Sequence, residues 1–93
     1  MSKFEVLLSE TAVSQLDLLE SQQADRIKES LRKLKENPFV SRSGADIKKL
    51  VSVDDPPLFR LRIGDYRAIY FVDEKEVKIT QIIHRSKGYK WLE

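Results

Sequence analysis

The chain has 93 residues, 41% apolar and 34% charged, with a net charge of +2; that supports one domain over residues 1–93, too short for two cores and too apolar to be disordered. With no cysteine and a single histidine, the sequence excludes disulfides, thiolate chemistry and cysteine- or histidine-rich metal sites. No apolar run approaches the roughly 20 residues of a membrane helix, and Met1-Ser2-Lys3-Phe4-Glu5 lacks a signal-peptide pattern, which favours the cytoplasm and predicts no membrane partner.

Phe4, Val6 and Leu8 alternate with Lys3, Glu5 and Leu7, predicting a short first strand buried on at least one face. Ser9 is the natural N-cap of a helix from about Glu10 to Glu20, with Ala12, Val13, Leu16 and Leu19 on one side. Ser21-Gln22-Gln23 reads as the turn. A second helix follows, with Ala24, Ile27, Leu31 and Leu34 at three-to-four spacing and Arg26, Lys28, Arg32 and Lys35 on other faces. Asn37-Pro38 stops it, because proline disfavours helical geometry in the residue before it. Two helices so closely joined predict an antiparallel hairpin. Residues 39–57 show no clear period and hold Ser41, Ser43, Gly44, Asp54, Asp55, Pro56 and Pro57, which suits a connecting loop. Within it, Lys48-Lys49-Leu50 is a candidate short edge element.

From Phe59 onward apolar and basic residues alternate. Gly64-Asp65 between Ile63 and Tyr66 is a two-residue hairpin turn, since glycine accepts positive φ there. That register pairs Arg62 with Arg67, Leu61 with Ala68 and Arg60 with Ile69. Leu61, Ile63, Tyr66, Ala68, Tyr70 and Val72 then face the core, and Arg60, Arg62 and Arg67 the other side. A second hairpin turns near Glu74-Lys75. Counting on places Val77, Ile79, Gln81 and Ile83 on the core side, and Lys78, Thr80, Ile82 and His84 with the arginines. Gly88 interrupts the tail before Tyr89, Trp91 and Leu92, so any C-terminal segment is short. The expected fold is α+β: an N-terminal strand, a two-helix antiparallel hairpin, then a three-stranded antiparallel meander with a short C-terminal segment.

Like charges opposite one another destabilise a sheet, so Arg62 across from Arg67 carries a cost. An anionic ligand would offset it; the plainer alternative is a solvated face with loop acids nearby. The tail adds Arg85, Lys87 and Lys90 and no acid between His84 and Lys90. A lone histidine at a strand end is more often structural or solvent-facing, and His84 is read as a substrate contact ahead of a general base. Trp91 is read as packing on the core ahead of base stacking. Lys28, Arg32 and Lys35 read as a solvated helix face.

Lys48-Lys49-Leu50, the run Phe59-Arg60-Leu61-Arg62-Ile63-Gly64-Asp65-Tyr66-Arg67-Ala68-Ile69-Tyr70, and His84-Arg85 with Tyr89 four residues on resemble the RelE/ParE toxin superfamily, specifically its RelE-type members. The resemblance spans nearly the whole chain and implies a small α+β fold with a helical hairpin on a twisted antiparallel sheet. It implies a toxin that enters the ribosomal A site and cuts messenger RNA there, without metal or cofactor, and that is restrained by a cognate antitoxin. By position, Arg60, Arg67 and Arg85 fall on the family's basic catalytic positions and Tyr89 on its C-terminal tyrosine. Arg62, Lys48, Lys49, His84 and Lys87 are the expected substrate contacts. The second residue of the family's basic pair, two before Arg60, is Leu58 here, with Arg62 or Lys49 able to compensate. Two other outcomes of the resemblance are a ParE-like, non-enzymatic inhibitor of DNA gyrase and a degenerate, binding-only member, the latter favoured by Leu58.

The chemistry stands apart from the family. RNA carries its own nucleophile, the 2′-hydroxyl. Its attack on the adjacent phosphate builds negative charge that fixed guanidiniums stabilise. Arg60 and Arg67 would hold the scissile phosphate, and Arg85 would support the transition state or the leaving oxygen. Tyr89 would stack on a base or move a proton, although a phenol near its ordinary pKa of about 10 is a poor base.

Overall fold

A computed structural model describes residues 3–54 and 56–87, and the side chains of these except 51–54. β1 (Glu5–Leu8) leads into α1 (Glu10–Asp17) and α2 (Ser21–Arg32), which a 3-10 turn extends through Lys33–Lys35. β2 (Asp46–Asp54), β3 (Pro57–Ile63), β4 (Tyr66–Asp73) and β5 (Glu76–His84) follow, and then a 3-10 turn at Arg85–Lys87. The five strands lie in the order β1-β5-β4-β3-β2. β1 runs parallel to β5, and the other neighbours are antiparallel.

The predicted class holds: an N-terminal strand, two helices and a meander. The helix boundaries differ. Ser9 caps α1 as expected, its Oγ accepting from the Ala12 N–H at 3.0 Å and donating to the Thr80 carbonyl at 2.8 Å. One side chain therefore both starts the helix and ties it to β5. α1 ends at Asp17 rather than Glu20, and Ser21-Gln22-Gln23 opens α2 instead of forming the turn. Glutamine is a good helix former, and the connection falls instead at residues 18–20, where the Leu19 N–H reaches the Leu16 carbonyl. Past α2 the Arg42 guanidinium donates to the carbonyls of Lys33, Asn37 and Val40, which ties the following segment to the end of the helical run.

The larger correction is β2. The sequence predicts a loop over residues 39–57 with Lys48-Lys49-Leu50 as a short edge element; the edge element is there but is nine residues long, Asp46–Asp54, beside β3. Its period is hidden because it serves two faces. Ile47 pairs with Leu61 and packs in the main core, whereas Leu50 is buried with Ile69 on the opposite face. An irregularity between Lys49 and Asp54 breaks the alternation further.

The β3–β4 hairpin has the predicted register, Arg62 opposite Arg67 and Ile63 opposite Tyr66, and Gly64 takes the positive φ of 60° that the turn requires. The β4–β5 hairpin turns after Asp73 as expected, but its faces do not follow the simple count. Tyr70 pairs with Ile79 and Ile69 with Gln81, so Thr80 is an extra residue in β5. Such a bulge reverses the parity of everything beyond it. Ile82 and His84 therefore lie on the helix side, paired with Ala68 and Tyr66, while Gln81 and Ile83 share the face of Ile69 and Arg67. The simple count predicts these two pairs the other way round.

The main core lies between the helices and the sheet: Ala12, Leu16, Ala24, Ile27, Leu31 and Leu34 meet Leu61, Ile63, Ala68, Tyr70, Val77, Ile79 and Ile82. Tyr70 is fully buried, and its hydroxyl donates to the Pro38 carbonyl at 2.6 Å. Burial pushes its phenol far above the ordinary tyrosine value, with Arg42 and Arg60 pulling weakly the other way. The unfolded chain can lose this proton from about pH 10 upward, whereas the fold retains it. Stability from this group is thus complete below about pH 10 and falls as pH rises beyond it. Tyr70→Phe is expected to melt with a flatter alkaline limb than the wild type, read by denaturation at pH 8 to 11; an unchanged limb would count against the buried phenol.

Candidate functional site

The pairing registers define the face of the sheet away from the helices. β2 gives it Asp46, Lys48 and Leu50, β3 gives Leu58, Arg60 and Arg62, and β4 gives Arg67, Ile69 and Phe71. β5 adds Lys78, Gln81 and Ile83. The centre of this face is apolar, with Leu58 and Ile83 packed against buried Leu50 and Ile69. The arginines border that patch toward the β3–β4 turn.

Arg67 is buried to 8% exposure. Its Nη1 donates to the carbonyls of Gly64 and Tyr66, both at 3.0 Å. Two backbone acceptors from the turn therefore fix the guanidinium. Arg62 stands opposite it, exposed, and like-charge pairs of this kind destabilise a sheet. Arg60 lies diagonal to Arg67 on the same face. Its Nη1 donates to the Asp46 carbonyl at 3.0 Å and to Asp46 Oδ1 at 3.1 Å. Arg85 reaches the same end of the sheet, its backbone N–H on the Asp65 carbonyl at 2.7 Å and its Nε 3.5 Å from Asp65 Oδ1.

Arg60, Arg62, Arg67 and Lys48 thus share one face, and Arg85 flanks its turn end. Two predicted contacts leave it. Lys49 pairs with Phe59, which turns it to the helix side. His84, beyond the bulge, sets its ring edge-on against Tyr66 at 5.1 Å and bonds through Nδ1 with Ser86 Oγ at 2.8 Å. Lys87 lines a groove of about 480 Å³ between α1 and β5, with Gln15, Leu18 and His84. Tyr89 and Trp91 lie outside the described residues.

Sequence reasoning missed Asp46 and the apolar patch. Asp46 becomes visible only once β2 is recognised as a strand. Leu58 fills a packing position beside Leu50 and Ile69, which is a physical reason for an apolar residue where the family pattern carries a basic one. The carboxylates beside the arginines are exposed, Asp46 by 53% and Asp65 by 63%. The Arg85–Asp65 pair, exposed on both sides, contributes little, about 0–1 kcal/mol, whereas the Arg60 side chain beside Asp46 is only 13% exposed. A phosphate that engages a guanidinium in bidentate fashion can displace the carboxylates. Preorganised donors on a rigid strand face, with an apolar floor beside them, suit a phosphodiester carrying a base.

A family model for the ParE toxin of type II toxin–antitoxin systems (parDE) matches residues 6–89. Among curated proteins none matches significantly. Among solved structures the chain is similar to the archaeal RelE–RelB complex of Pyrococcus horikoshii, at 32% identity and a TM-score of 0.76, covering 92% of this chain and 99% of that one. It is similar in fold to the RelBE2 toxin–antitoxin complex of Mycobacterium tuberculosis, at 23% identity and a TM-score of 0.73, covering 94% and 97% of the two chains. The same holds for a mutant of the Escherichia coli toxin RelE in the free state, with two arginines replaced by alanine, at 19% identity and a TM-score of 0.59, covering 97% and 90%.

Proposed function

The chain belongs to the RelE/ParE superfamily of toxins from type II toxin–antitoxin systems, and we propose that it is a RelE-type toxin: a ribosome-dependent endoribonuclease that cuts messenger RNA in the A site, in the cytoplasm. The observation that carries this reading is the gathering of Arg60, Arg62 and Arg67 on the sheet face away from the helices, Arg62 exposed and Arg60 and Arg67 largely buried, with Arg85 at its end. The message supplies the nucleophile, a 2′-hydroxyl, which attacks the adjacent phosphorus and expels the 5′-oxygen of the next nucleotide. Arg67 and Arg60 hold the phosphate and stabilise its added negative charge. Arg85 supports the transition state or the leaving oxygen, and Tyr89 serves as the tail's base-stacking or proton-transfer group. The ribosome aligns the message for in-line attack, which leaves the protein to complete the site. Neither metal nor cofactor takes part. The restraining partner is a cognate antitoxin, consistent with relatives solved as toxin–antitoxin complexes.

A second reading, a ParE-like inhibitor of DNA gyrase, is favoured by the family model that matches, whereas Leu58 at a basic position favours a binding-only member. Inducing the protein in cells and mapping messenger RNA ends separates the two. Cuts inside translated codons that vanish with Arg67→Ala and Arg85→Ala support the ribonuclease. Intact messages with broken or relaxed DNA support gyrase, and no toxicity at all supports a binding-only member.

A further inference from the structure

β5 ends at His84, and the Arg85–Lys87 turn begins directly after it. Beyond the Thr80 bulge, His84 lies on the helix side of the sheet opposite Tyr66, across the sheet from the arginines. A turn of three residues cannot satisfy its own first N–H groups internally. Here they find partners outside it. The Arg85 N–H donates to the Asp65 carbonyl at 2.7 Å, and the Ser86 N–H donates to Nδ1 of His84 at 3.1 Å.

That second bond decides the state of the ring. A backbone N–H can only donate, so Nδ1 must present its lone pair to it. The neutral imidazole then carries its hydrogen on Nε2. Ser86 Oγ lies 2.8 Å from the same nitrogen, and a hydroxyl can turn its own hydrogen toward that lone pair. A proton on Nδ1 would set N–H against N–H and break the bond to the turn.

The direction of the ring is set independently. Tyr66 meets it edge-on, with 5.1 Å between centroids and 85° between planes, and the two residues are partners in the β4–β5 ladder. Asp65, one residue earlier, holds Arg85 at both its N–H and its Nε, the latter at 3.5 Å. One hairpin turn therefore fixes the imidazole through Tyr66 and Arg85 through Asp65. The bond from Nδ1 to Ser86 closes the circuit and pins the chain on both sides of Arg85. The Arg85 side chain is 63% exposed, so packing gives it little direction and the backbone beneath must supply it.

The Nδ1 bond reaches two residues along the chain, as an asparagine or aspartate side chain does when it binds the backbone two residues on. The geometry points to His84 as a positioning residue for Arg85: Nδ1 caps the Arg85–Lys87 turn and so directs the guanidinium toward the end of the arginine face. The use of this device in cleavage rests on the ribonuclease reading above, whereas the capped turn does not. Proton transfer by His84 itself does not fit the placement, because the ring lies on the other side of the sheet from Arg60 and Arg67.

The test reads the ring first. His84 is the single histidine of the chain, so its nitrogen NMR signals are unambiguous, and at mildly alkaline pH they should show Nδ1 bare and Nε2 protonated. His84→Asn keeps an acceptor at the position of Nδ1, His84→Gln reaches instead to that of Nε2, and His84→Ala offers none. The Arg85 and Ser86 amides should exchange about fivefold faster or more in His84→Ala and His84→Gln, and near the wild-type rate in His84→Asn. Cleavage of ribosome-bound message should fall by about 10–100-fold in His84→Ala, as expected of a misplaced group, and His84→Asn should restore most of it. In an Arg85→Ala background, His84→Ala should add less than about twofold, because it acts through the arginine already removed. Melting curves accompany every variant, and if His84→Ala does not fold, the wild-type ring and the contrast between Asn and Gln carry the test. A proton on Nδ1 overturns the proposal. So does a His84→Asn protein as slow as His84→Gln, and so does a full second loss in the Arg85→Ala background, which would put His84 on the substrate itself. A wild-type protein that cuts no message overturns the ribonuclease reading and with it the use in cleavage; the ring and amide measurements still uphold or overturn the cap.

Discussion

On the ribonuclease reading proposed above, Arg67→Ala should slow cleavage of ribosome-bound messenger RNA by about 10²–10³-fold, the loss typical of removing one fixed donor from a site that stabilises developing negative charge. Arg67 is the group best placed for that role. It is 8% exposed, and the Gly64 and Tyr66 carbonyls hold its Nη1 from the turn, so little reorganisation is needed as charge builds on the phosphate. Arg67→Lys keeps the charge but loses the planar fork, and it should recover only a small part of the rate. Because Arg67 also braces the turn, each variant's melting curve must accompany the rate. A loss of rate with a nearly unchanged midpoint assigns the effect to chemistry. A message carrying a single 2′-deoxy nucleotide at the cut site removes the nucleophile and should resist the wild-type protein outright. If Arg67→Ala cuts at the wild-type rate, the arginine face is not the catalytic one.

Local signals make the arginine hairpin legible. Gly64-Asp65 between alternating residues specifies a two-residue turn, and the turn specifies which arginines oppose one another, as the observed pairs confirm. Patterns that depend on long-range context are not legible. β2 is apolar toward the helices at Ile47 and toward the open face at Leu50, so it shows neither simple alternation nor a continuous apolar run. Thr80 inserts one residue into β5 without any glycine or proline to mark it. Its hydroxyl bonds to the Ile69 carbonyl at 3.1 Å, a contact that exists only once the strands are paired. That single residue moves His84 away from the arginines and brings Ile83 toward them. Asp46, Leu50 and Ile83 are hidden for the same reason, since they belong to β2 and β5, whose registers cannot be counted from the sequence.

Tyr70→Ala is the core change expected to cost most. Aromatic-to-alanine truncation at a fully buried position typically removes about 3–5 kcal/mol, against a total of about 5–14 kcal/mol for a chain of this length. For a domain this small the midpoint should fall by about 15–30 °C. The size of the effect follows from what Tyr70 joins. Its ring stacks on Phe59 at 5.7 Å with 19° between the planes. Phe59 meets Phe39 edge-on at 5.6 Å, and Phe39 meets Phe4 at 5.9 Å. This ladder runs from the centre of the sheet through the segment after α2 to the start of β1. The Tyr70 hydroxyl ties that same segment down at Pro38. Truncation should therefore also speed amide exchange at Phe4 and Phe39, which pack on the ladder's outer end. Tyr70→Phe keeps the ring and loses only the bond to Pro38, a cost of about 1 kcal/mol. The contrast between the two variants separates packing from hydrogen bonding. A Tyr70→Ala protein that melts within about 5 °C of the wild type would show that the ladder is not part of the cooperative core.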